Sequence, residues 1–364
     1  MINTKYRQIK NFTLDTLKYR EFKHKYEPSN ICEMPIKWNK AKDFSIFDDK
    51  NNKWIDMTSG IFTTNAGHSN PKINQAIKNQ IDNDLTFAYQ YNTNIRQKFL
   101  KKLFEISPNH FNKAVLLNSG SEATDAAYRL IKLWGKKHNK KHIVTFNGNY
   151  HGRVLGADLL GGTLSSSSWS NITDPDIYKL PFPLKGKELN ELDLPPLDNI
   201  AAIFLETYQG WGALQYPKSY IDKLYKICKK HNILFCVDEI QSGFYRMGTL
   251  YGYMTYGDYK PDIVCLGKGL TSSLPLSAVL STSKIIDLDP TANLSSTHAG
   301  NTLCCAAGLA NLEFLTNSTF QKELQSKIKI FEERSNQLLK YKCVIDVNVK
   351  GMVSGIIINN IPIN

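Results

Sequence analysis

The feature that most constrains the fold is a series of short apolar runs that alternate with helix-length segments from about Lys113 onward. Apolar runs of this length are typical of strands buried on both faces of a parallel sheet. Segments such as Glu122–Trp134 and Tyr220–His231 have the length of helices. The alternation predicts an α/β fold whose mostly parallel sheet is covered by helices on both faces. The predicted strands are Ala114–Leu117, Ile143–Phe146, Ile200–Leu205, Ile233–Val237, Ile263–Leu266 and Leu276–Leu280.

The segments on either side of this region have a different character. Residues 1 to about 45 are polar and lysine-rich, which predicts an arm with one or two helices. Asp43–Gly60 is predicted to form two short strands around an Asp-Asp-Lys-Asn-Asn turn. Ser165–Ser168 is predicted to be a loop. Further helices are expected at Ile73–Ile81, Ile95–Ile106, Asn301–Leu315 and Phe320–Leu339, and further strands within Cys343–Asn359.

Composition narrows the class of protein. A hydrophobic content of 42% with 21% charged residues is that of an ordinary globular protein. The net charge of +12 would suit a nucleic-acid binder. The lysines, however, are scattered among asparagines and isoleucines rather than gathered in a basic stripe, so no nucleic-acid partner is expected. Neither a membrane-length apolar run nor an apolar signal core is present, which predicts a cytoplasmic protein without a membrane partner.

The cysteines support the same compartment. Their number is odd, most lie in apolar runs, and none shows CxxC or metal-ligand spacing. We therefore expect small buried hydrophobic side chains in a reducing compartment, and no metal site. The seven are Cys32, Cys228, Cys236, Cys265, Cys304, Cys305 and Cys343.

A lysine follows the most apolar of the predicted strands. In the segment Pro261–Thr271, the strand Ile263–Leu266 ends at Gly267-Lys268-Gly269. A cation is costly at such a place, and a desolvated lysine with a lowered pKa can form a Schiff base. An ordinary solvated lysine would be the simpler interpretation. The flanking glycines would let a planar cofactor approach closely.

Acids and small residues follow the other strands. Asp238 and Glu206 each come directly after an apolar strand, where a carboxylate needs a cationic partner such as a protonated pyridine nitrogen. Asn118–Glu122 opens a helix and could bind phosphate through free N–H groups. Simple capping by Ser119 or Ser121, with Glu122 in the first turn, would explain the same residues.

A third group follows the strand Ile143–Phe146. Tyr150 could stack on a flat heterocycle, and Arg153 could hold a carboxylate, although an ordinary polar loop would have the same composition. Pyridoxal 5′-phosphate (PLP) needs a lysine, an acid for the ring nitrogen, an aromatic ring and a phosphate cup. Binding of this single cofactor would account for the residues that follow all of these strands, because the strand ends are expected to meet at one edge of the sheet.

The blocks NSGSEATDAA, YHGR, DEIQSGFYRMG, PDIVCLGKG and THAGNTLCCAA occur in an order and spacing that resemble the class III (subgroup II, omega-type) PLP-dependent aminotransferases. The resemblance covers nearly the whole chain from about Asp43. It implies PLP-dependent transferase fold type I, with a large domain containing a mostly parallel, mixed sheet flanked by helices. It also implies a small α+β domain built from both termini. The expected boundaries are residues 1–60 for the arm and part of the small domain, 61–310 for the large domain and 311–364 for the rest of the small domain.

The resemblance also implies roles for single residues. Lys268 would bind the cofactor as a Schiff base and carry protons, and Asp238 would pair with the pyridinium nitrogen. Gln241 would reach the ring oxygen and Tyr150 would stack on the ring. Gly120 and Ser121 would bind the phosphate, and Thr297 would reach the phosphate of the neighbouring subunit in a homodimer. Ser119, His151 and Glu206 would complete the cofactor-binding set. Arg153 stands at a position that binds substrate carboxylates in several members.

Two departures from the family pattern concern the substrate. Trp211 stands where ornithine and 4-aminobutyrate enzymes carry a glutamate that pairs with an arginine. A tryptophan there predicts a hydrophobic wall and a different amino donor. Family members also usually continue well past residue 364, where that arginine lies. A truncated chain, a reduced small domain or a contribution from another chain would each account for this.

The function expected from the resemblance is transfer of an amino group from an amine or amino acid to a 2-oxo acid, pyruvate or 2-oxoglutarate, in two half-reactions. A runner-up is an aminomutase of the glutamate-1-semialdehyde type, which needs no separate 2-oxo acid. The same motifs would also suit a decarboxylating aminotransferase or a catalytically inactive PLP-fold scaffold protein.

Overall fold

The computed structural model describes Tyr26 and residues 36–89, 91–163, 168–183, 189–190 and 193–359. The predicted helical arm, Cys32 and most of the serine loop at 165–168 lie outside these residues. Contacts between Cα atoms divide the chain into one unit that ends at Thr58 and a second that begins at Ser59. The domain boundaries expected near residues 60 and 310 stay a prediction.

The first unit contains a three-stranded antiparallel sheet. Its strands are β1 (Trp38–Lys42), β2 (Ser45–Asp48) and β3 (Lys53–Ile55), paired in that order. The predicted hairpin is confirmed as β2 and β3. The carboxylate of Asp48 accepts hydrogen bonds from the Asn52 backbone N–H at 2.8 Å and from Trp54 Nε1 at 3.1 Å, which stabilises the turn. β1 shows that the prediction of a helical arm rather than a sheet component for residues 1 to about 45 was wrong at Trp38–Lys42; these residues are mostly polar and exposed, so no apolar run indicated the strand.

The second unit is built on a seven-stranded sheet. Its strands are β4 (Lys113–Leu117), β5 (His142–Phe146), β6 (Ile177–Leu180), β7 (Ile200–Glu206), β10 (Leu234–Asp238), β11 (Ile263–Leu266) and β12 (Ser277–Ser281). They lie in the order β4-β12-β11-β10-β7-β5-β6. Neighbouring strands pair in parallel from β11 through β6, and β12 is antiparallel to both β11 and β4. The predicted mostly parallel, mixed sheet is thereby confirmed.

β6 was missed because its sequence, IYKL, is not a continuous apolar run. It lies at the edge of the sheet and only Leu180 is fully buried. The central strands, in contrast, are buried along their whole length. Burial on both faces requires unbroken apolar sequence, whereas an edge strand tolerates polar side chains. For this reason the apolar runs located the central strands and the edge strand β4, whose last three residues are buried, but not the edge strand β6.

Helices cover both faces of the sheet, as predicted. α3 (Gly120–Lys137) packs Leu130 and Ile131 against one face, together with Ile143 of β5. α5 (Lys218–Lys230) packs Leu224 against the other face. Each such side chain contributes about 1.5–3 kcal/mol when it is fully buried. The remaining helices that precede residue 200 are α1 (Pro71–Asp82), α2 (Asn94–Ile106) and α4 (Leu155–Leu160), of which α4 was not predicted.

The C-terminal part consists of helices followed by a hairpin. α6 (Ser283–Ile286), α7 (Thr302–Leu315) and α8 (Ser318–Asn336) precede the antiparallel strands β13 (Val344–Lys350) and β14 (Val353–Ile358). α7 packs against α1 and α2.

Among the residues described above, no helix is both long and apolar enough to cross a membrane, and no group of three or more His, Cys, Asp or Glu side chains could hold a metal ion.

The sheet topology places the predicted site residues. β4, β5, β7, β10 and β11 all run in the same direction, so their carboxyl ends share one edge. In open α/β sheets, ligands bind beyond this edge. Glu206, Asp238 and Lys268 end or directly follow β7, β10 and β11, which are neighbours in the sheet.

Candidate active site

Lys268 is the second residue after the end of β11. Its Nζ donates a hydrogen bond of 3.1 Å to Oε1 of Gln241. Burial lowers the pKa of the Lys268 amine, while the nearby Asp238 and Glu206 carboxylates act in the opposite direction. The backbone of Lys268 has a φ of 40°, in the left-handed region that non-glycine residues rarely adopt. A desolvated amine on a strained turn is typical of a functional lysine rather than of a solvated surface residue.

Asp238 and His151 form a buried pair next to this lysine. His151 Nδ1 lies 2.8 Å from Asp238 Oδ2, and the two residues are 1% and 4% exposed. Asp238 Oδ1 accepts a hydrogen bond of 3.0 Å from the Ile240 backbone N–H. His151 Nε2 has no hydrogen-bond partner among the described residues. The structure therefore places the predicted cofactor residue His151 behind Asp238, where it orients the carboxylate.

Glu206 connects two loops of the site. Its Oε2 accepts a hydrogen bond of 2.8 Å from the Tyr150 backbone N–H, and its Oε1 accepts one of 3.3 Å from the Gly210 N–H. The side chain is 4% exposed. Burial, reinforced by the negative charge of Asp238, raises the pKa of Glu206 to about 8. Glu206 was predicted to be a cofactor residue, and the structure places both of its oxygens on the backbone of the loops that carry Tyr150 and Trp211.

This raised pKa makes the stability of the protein depend on pH. Unfolded Glu206 releases its proton near pH 4.5, whereas folded Glu206 keeps it up to about pH 8. The free energy of unfolding therefore falls as pH rises through this window. Because Glu206→Gln has no proton to lose, we expect its stability relative to the wild type to increase between pH 5 and pH 8, by up to about 4 kcal/mol. Urea unfolding of both proteins, freed of PLP, measures this difference, and parallel pH curves would contradict it.

The start of α3 shows the capping that its sequence allowed, and the phosphate site stays a prediction. Ser119 caps the helix: its hydroxyl accepts from the Glu122 N–H at 3.2 Å, and the Glu122 carboxylate accepts from the Ser119 N–H at 2.6 Å. The capping box is therefore confirmed. Ser121 Oγ accepts a hydrogen bond of 3.2 Å from the Arg153 backbone N–H. A Cβ on Gly120 would lie 2.9 Å from Ile240 Cδ1, so glycine lets the N-terminus of an 18-residue helix reach the segment after Asp238.

Trp211 lies on a small hairpin between β8 (Tyr208–Gln209) and β9 (Leu214–Gln215). A Cβ on Gly210 would lie 2.4 Å from Gln241 Nε2, so this hairpin passes directly over the residue that accepts from Lys268. The Trp211 side chain is 73% exposed. The hairpin therefore presents a large apolar surface one residue away from the contact with Gln241.

Five of the predicted site residues are exposed at the surface of the chain: Ser119, Tyr150, Arg153, Trp211 and Thr297. The side chain of Tyr150 is 36% exposed, although its backbone is held by Glu206. Arg153 and Thr297 are also exposed. The structure thus places Asp238, His151 and Glu206 in the interior beside the half-buried Lys268 and Gln241, and it leaves the five exposed residues at the surface.

Glu239 and Arg246 were not predicted, although both belong to the block that follows β10. Glu239 is fully buried, and its carboxylate accepts from Thr207 Oγ1, Ser242 Oγ and the N–H groups of Gly252 and Tyr253. Burial raises its pKa to about 7. The adjacent Asp238-Glu239 pair at the end of a strand was an available signal, because successive residues point to opposite sides of a strand.

The donor set fits PLP. The site offers a desolvated amine, a carboxylate with a fixed orientation, an amide beside the amine, and a helix N-terminus with small residues. These groups are suited, in that order, to the aldehyde, the pyridinium nitrogen, the ring oxygen and the phosphate of the cofactor.

Comparisons with known proteins agree with this geometry. The sequence profile of the family Aminotransferase class-III matches residues 26–362. The chain belongs to the class-III aminotransferases. It is accordingly a PLP-dependent aminotransferase of fold type I, as the sequence predicted.

Individual relatives show how far the similarity extends. Ornithine aminotransferase 2 of Staphylococcus aureus is 28% identical over 346 residues, which cover 93% of this chain and 85% of the relative. Ornithine aminotransferase of Saccharomyces cerevisiae is 30% identical, with 95% and 85% covered. Taurine:2-oxoglutarate aminotransferase from Bifidobacterium kashiwanohense, solved with PLP and glutamate, superimposes with a TM-score of 0.85 at 23% identity, with 94% and 82% covered.

Proposed function

We propose that this aminotransferase takes an amino group from a donor with an apolar carbon skeleton and passes it to pyruvate or 2-oxoglutarate. The observation that carries the assignment of the site is the Lys268 amine, partly buried and 3.1 Å from Gln241, one strand away from the Asp238–His151 pair. Amino transfer to a 2-oxo acid is the activity of the family, and the choice of donor is inferred from Trp211.

The chain's own residues divide the work as follows. PLP supplies an electrophilic carbon and an electron sink when it is bound. Lys268 would hold the cofactor covalently and, once displaced, its Nζ would move a proton. Asp238, oriented by the hydrogen bond from His151, would keep the ring nitrogen protonated. Gln241 would contact the ring oxygen, Tyr150 would cover the ring, and the N-terminus of α3 at Gly120 and Ser121 would hold the phosphate.

The donor class is inferred from Trp211. The ornithine and 4-aminobutyrate enzymes that this chain resembles have a glutamate at this position. An exposed tryptophan beside Gln241 would instead pack against an apolar substituent and has no charge to offer a second ammonium group. Arg153, which is exposed and whose backbone N–H donates to Ser121 at the start of α3, is the proposed contact for a substrate carboxylate.

The visible absorbance of the purified holoenzyme tests the proposed function. A donor with an apolar side chain is expected to bleach the band of bound PLP faster than ornithine or 4-aminobutyrate does, and pyruvate or 2-oxoglutarate is expected to restore it. Faster bleaching by ornithine would overturn the donor class. A product formed without any 2-oxo acid would indicate an aminomutase, and release of carbon dioxide would indicate a decarboxylating enzyme. No band after addition of PLP would indicate a scaffold protein.

We further propose that two copies of the chain form a homodimer with shared active sites. Thr297 and His298 are exposed, and the His298 ring lies 5.1 Å from the ring of Phe87, which is 46% exposed. Tyr89 and Tyr91 extend this exposed aromatic surface. Burial of such a surface is typical of interfaces between subunits.

Light scattering tests the dimer. The expected mass is twice the 41.3 kDa of the chain, and Thr297→Ala is expected to weaken PLP binding without changing that mass. A monomer that keeps full PLP affinity would contradict the proposal.

A cytoplasmic location is proposed as well, because the six described cysteines are all free and five are buried. Recovery of the protein from an oxidising compartment after cell fractionation would refute it.

A further inference from the structure

Arg246 is a buried cation close to the site that the proposed mechanism does not use. It lies in the loop after β10 and is 8% exposed. Its Nη2 donates a hydrogen bond of 2.6 Å to Asn65 Oδ1, and its Nη1 lies 3.3 Å from the Met352 carbonyl oxygen and 3.5 Å from Ser59 Oγ. Burial of a guanidinium costs free energy unless its N–H groups make several hydrogen bonds in the interior. The contacts of Arg246 lead to three segments, which are Asn65, the turn Ser59–Phe62 shortly before it in the sequence, and the distant Met352.

The first segment leads to the lysine. Asn65 accepts from Arg246 and donates through Nδ2 to the Phe244 carbonyl oxygen at 2.9 Å. A Cβ on Gly269 would lie 2.5 Å from this same Nδ2. The Asn65 amide is therefore packed against the residue that follows Lys268, on a turn where Lys268 itself has a positive φ. A shift of Asn65 would release this side of the lysine turn.

The second segment is a strained turn. Ser59, Gly60, Ile61 and Phe62 have φ values of 51°, 58°, 57° and 62°. Three non-glycine residues of one turn in this conformation are unfavourable and persist only when their surroundings hold them. Arg246 contacts both ends of the turn, because Nη1 reaches Ser59 Oγ and the guanidinium lies 5.5 Å from the centre of the Phe62 ring.

The third segment is the hairpin of β13 and β14. The Met352 N–H donates 2.8 Å to the Arg246 carbonyl oxygen, and Arg246 Nη1 donates to the Met352 carbonyl oxygen in return. Gly351, with a φ of 61°, lies so close that a Cβ would be 2.3 Å from the Met247 carbonyl carbon. Val353 packs with Tyr208 and Met247. The tip of the hairpin is thus docked on the loop that carries Arg246.

We propose that Arg246 is a positioning residue that holds the left-handed turn Ser59–Phe62 and the hairpin β13–β14 against the turn that carries Lys268. The guanidinium acts through Asn65 on one side and through Met352 on the other. Its positive charge also contributes to the lowered pKa of Lys268. The proposal rests on the assignment of Lys268 as the amine that holds PLP.

Two variants distinguish the effect of the planar shape of the Arg246 guanidinium from the effect of its positive charge. Arg246→Lys keeps the charge but loses the planar fork that contacts Asn65 and Met352 together, and Arg246→Gln loses both. Arg334→Gln is the control, because Arg334 is an exposed residue of α8 whose Nη1 contacts Gln337. All variants are studied as the holoenzyme.

Hydrogen exchange measures the positioning. The Thr63 and Thr64 amides, which both donate to the Ser59 carbonyl oxygen at 2.9 Å, and the amides of the hairpin are expected to exchange about tenfold to a hundredfold faster in Arg246→Gln and Arg246→Lys. The amides of β11 are expected to be unchanged, since they belong to the sheet. If Arg246→Gln does not fold, Arg246→Lys still gives this measurement. Wild-type exchange rates in both segments would overturn the proposal.

The pH dependence of the PLP absorbance measures the effect of the charge on Lys268. The midpoint of this pH dependence is expected to move to higher pH in Arg246→Gln, because a neighbouring positive charge is lost. It is expected to stay unchanged in Arg246→Lys and Arg334→Gln. An unchanged midpoint in Arg246→Gln would overturn this part. Absence of a PLP band in the wild type would refute the proposed function instead, while the exchange rates would still decide the role of Arg246.

Discussion

Lys268→Ala is expected to abolish turnover, with the rate of amino transfer falling by at least about 10³-fold. A positioned side chain that transfers protons contributes about 10²–10⁴-fold to the rate, and Lys268 also provides the covalent bond to PLP. Single-turnover absorbance with the best donor measures the rate. Borohydride reduction followed by mass spectrometry of the denatured chain measures the covalent bond: the wild type is expected to gain the mass of PLP, and the variant is expected to gain nothing.

Lys140→Ala is the matched control for this experiment. Lys140 is another partly buried lysine, which lies between α3 and the amino end of β5, and its Nζ donates 2.9 Å to the carbonyl oxygen of His231, the residue after α5. We expect this variant to keep both its turnover and its covalent PLP. Normal turnover in Lys268→Ala would refute the assignment of the site, since among the described residues no other lysine ends or directly follows one of the central strands β7, β10 and β11.

Asp238→Asn is expected to lower the rate of each half-reaction by about 10²–10³-fold while leaving the fold intact. Asparagine has nearly the same volume, its single carbonyl oxygen can still accept from the Ile240 N–H, and its NH2 group can donate to Nδ1 of His151 when the ring proton is on Nε2, so packing is preserved. It lacks the negative charge that would keep the ring nitrogen protonated, and preorganised charge at a reacting group is commonly worth this factor. Stopped-flow absorbance measures the rates, and PLP is expected to dissociate more readily from the variant.

Asp262→Asn is the control for the loss of a carboxylate from the same sheet. Asp262 precedes β11 at its amino end, where its Oδ2 accepts 2.9 Å from the Phe235 N–H, so it lies at the edge opposite to the site. We expect a small change in the free energy of unfolding and no change in the half-reactions. Equal rates in Asp238→Asn and Asp262→Asn would mean that Asp238 does not act on the cofactor.

The local elements could be predicted from short stretches of sequence, because their causes are local. Unbroken apolar runs located the central strands, since burial on both faces leaves no room for polar residues. The capping box of α3 depends on Ser119 and Glu122, which are three residues apart. Because parallel strands align their carboxyl ends, the predicted sheet also placed Glu206, Asp238 and Lys268 at one edge of the sheet.

The partnerships within the site depended on the tertiary structure. The hydrogen bond between His151 and Asp238 joins residues 87 positions apart, that between Tyr150 and Glu206 spans 56 positions, and that between Arg246 and Asn65 spans 181. No periodicity or spacing within the sequence reports which distant polar groups meet. The sequence by itself therefore determined the central strands of the sheet and the cofactor, and it predicted that Lys268 and Asp238 act on that cofactor. Only the packing of distant segments decided which neighbours orient them, because buried polar groups must find partners wherever the fold brings a donor and an acceptor together.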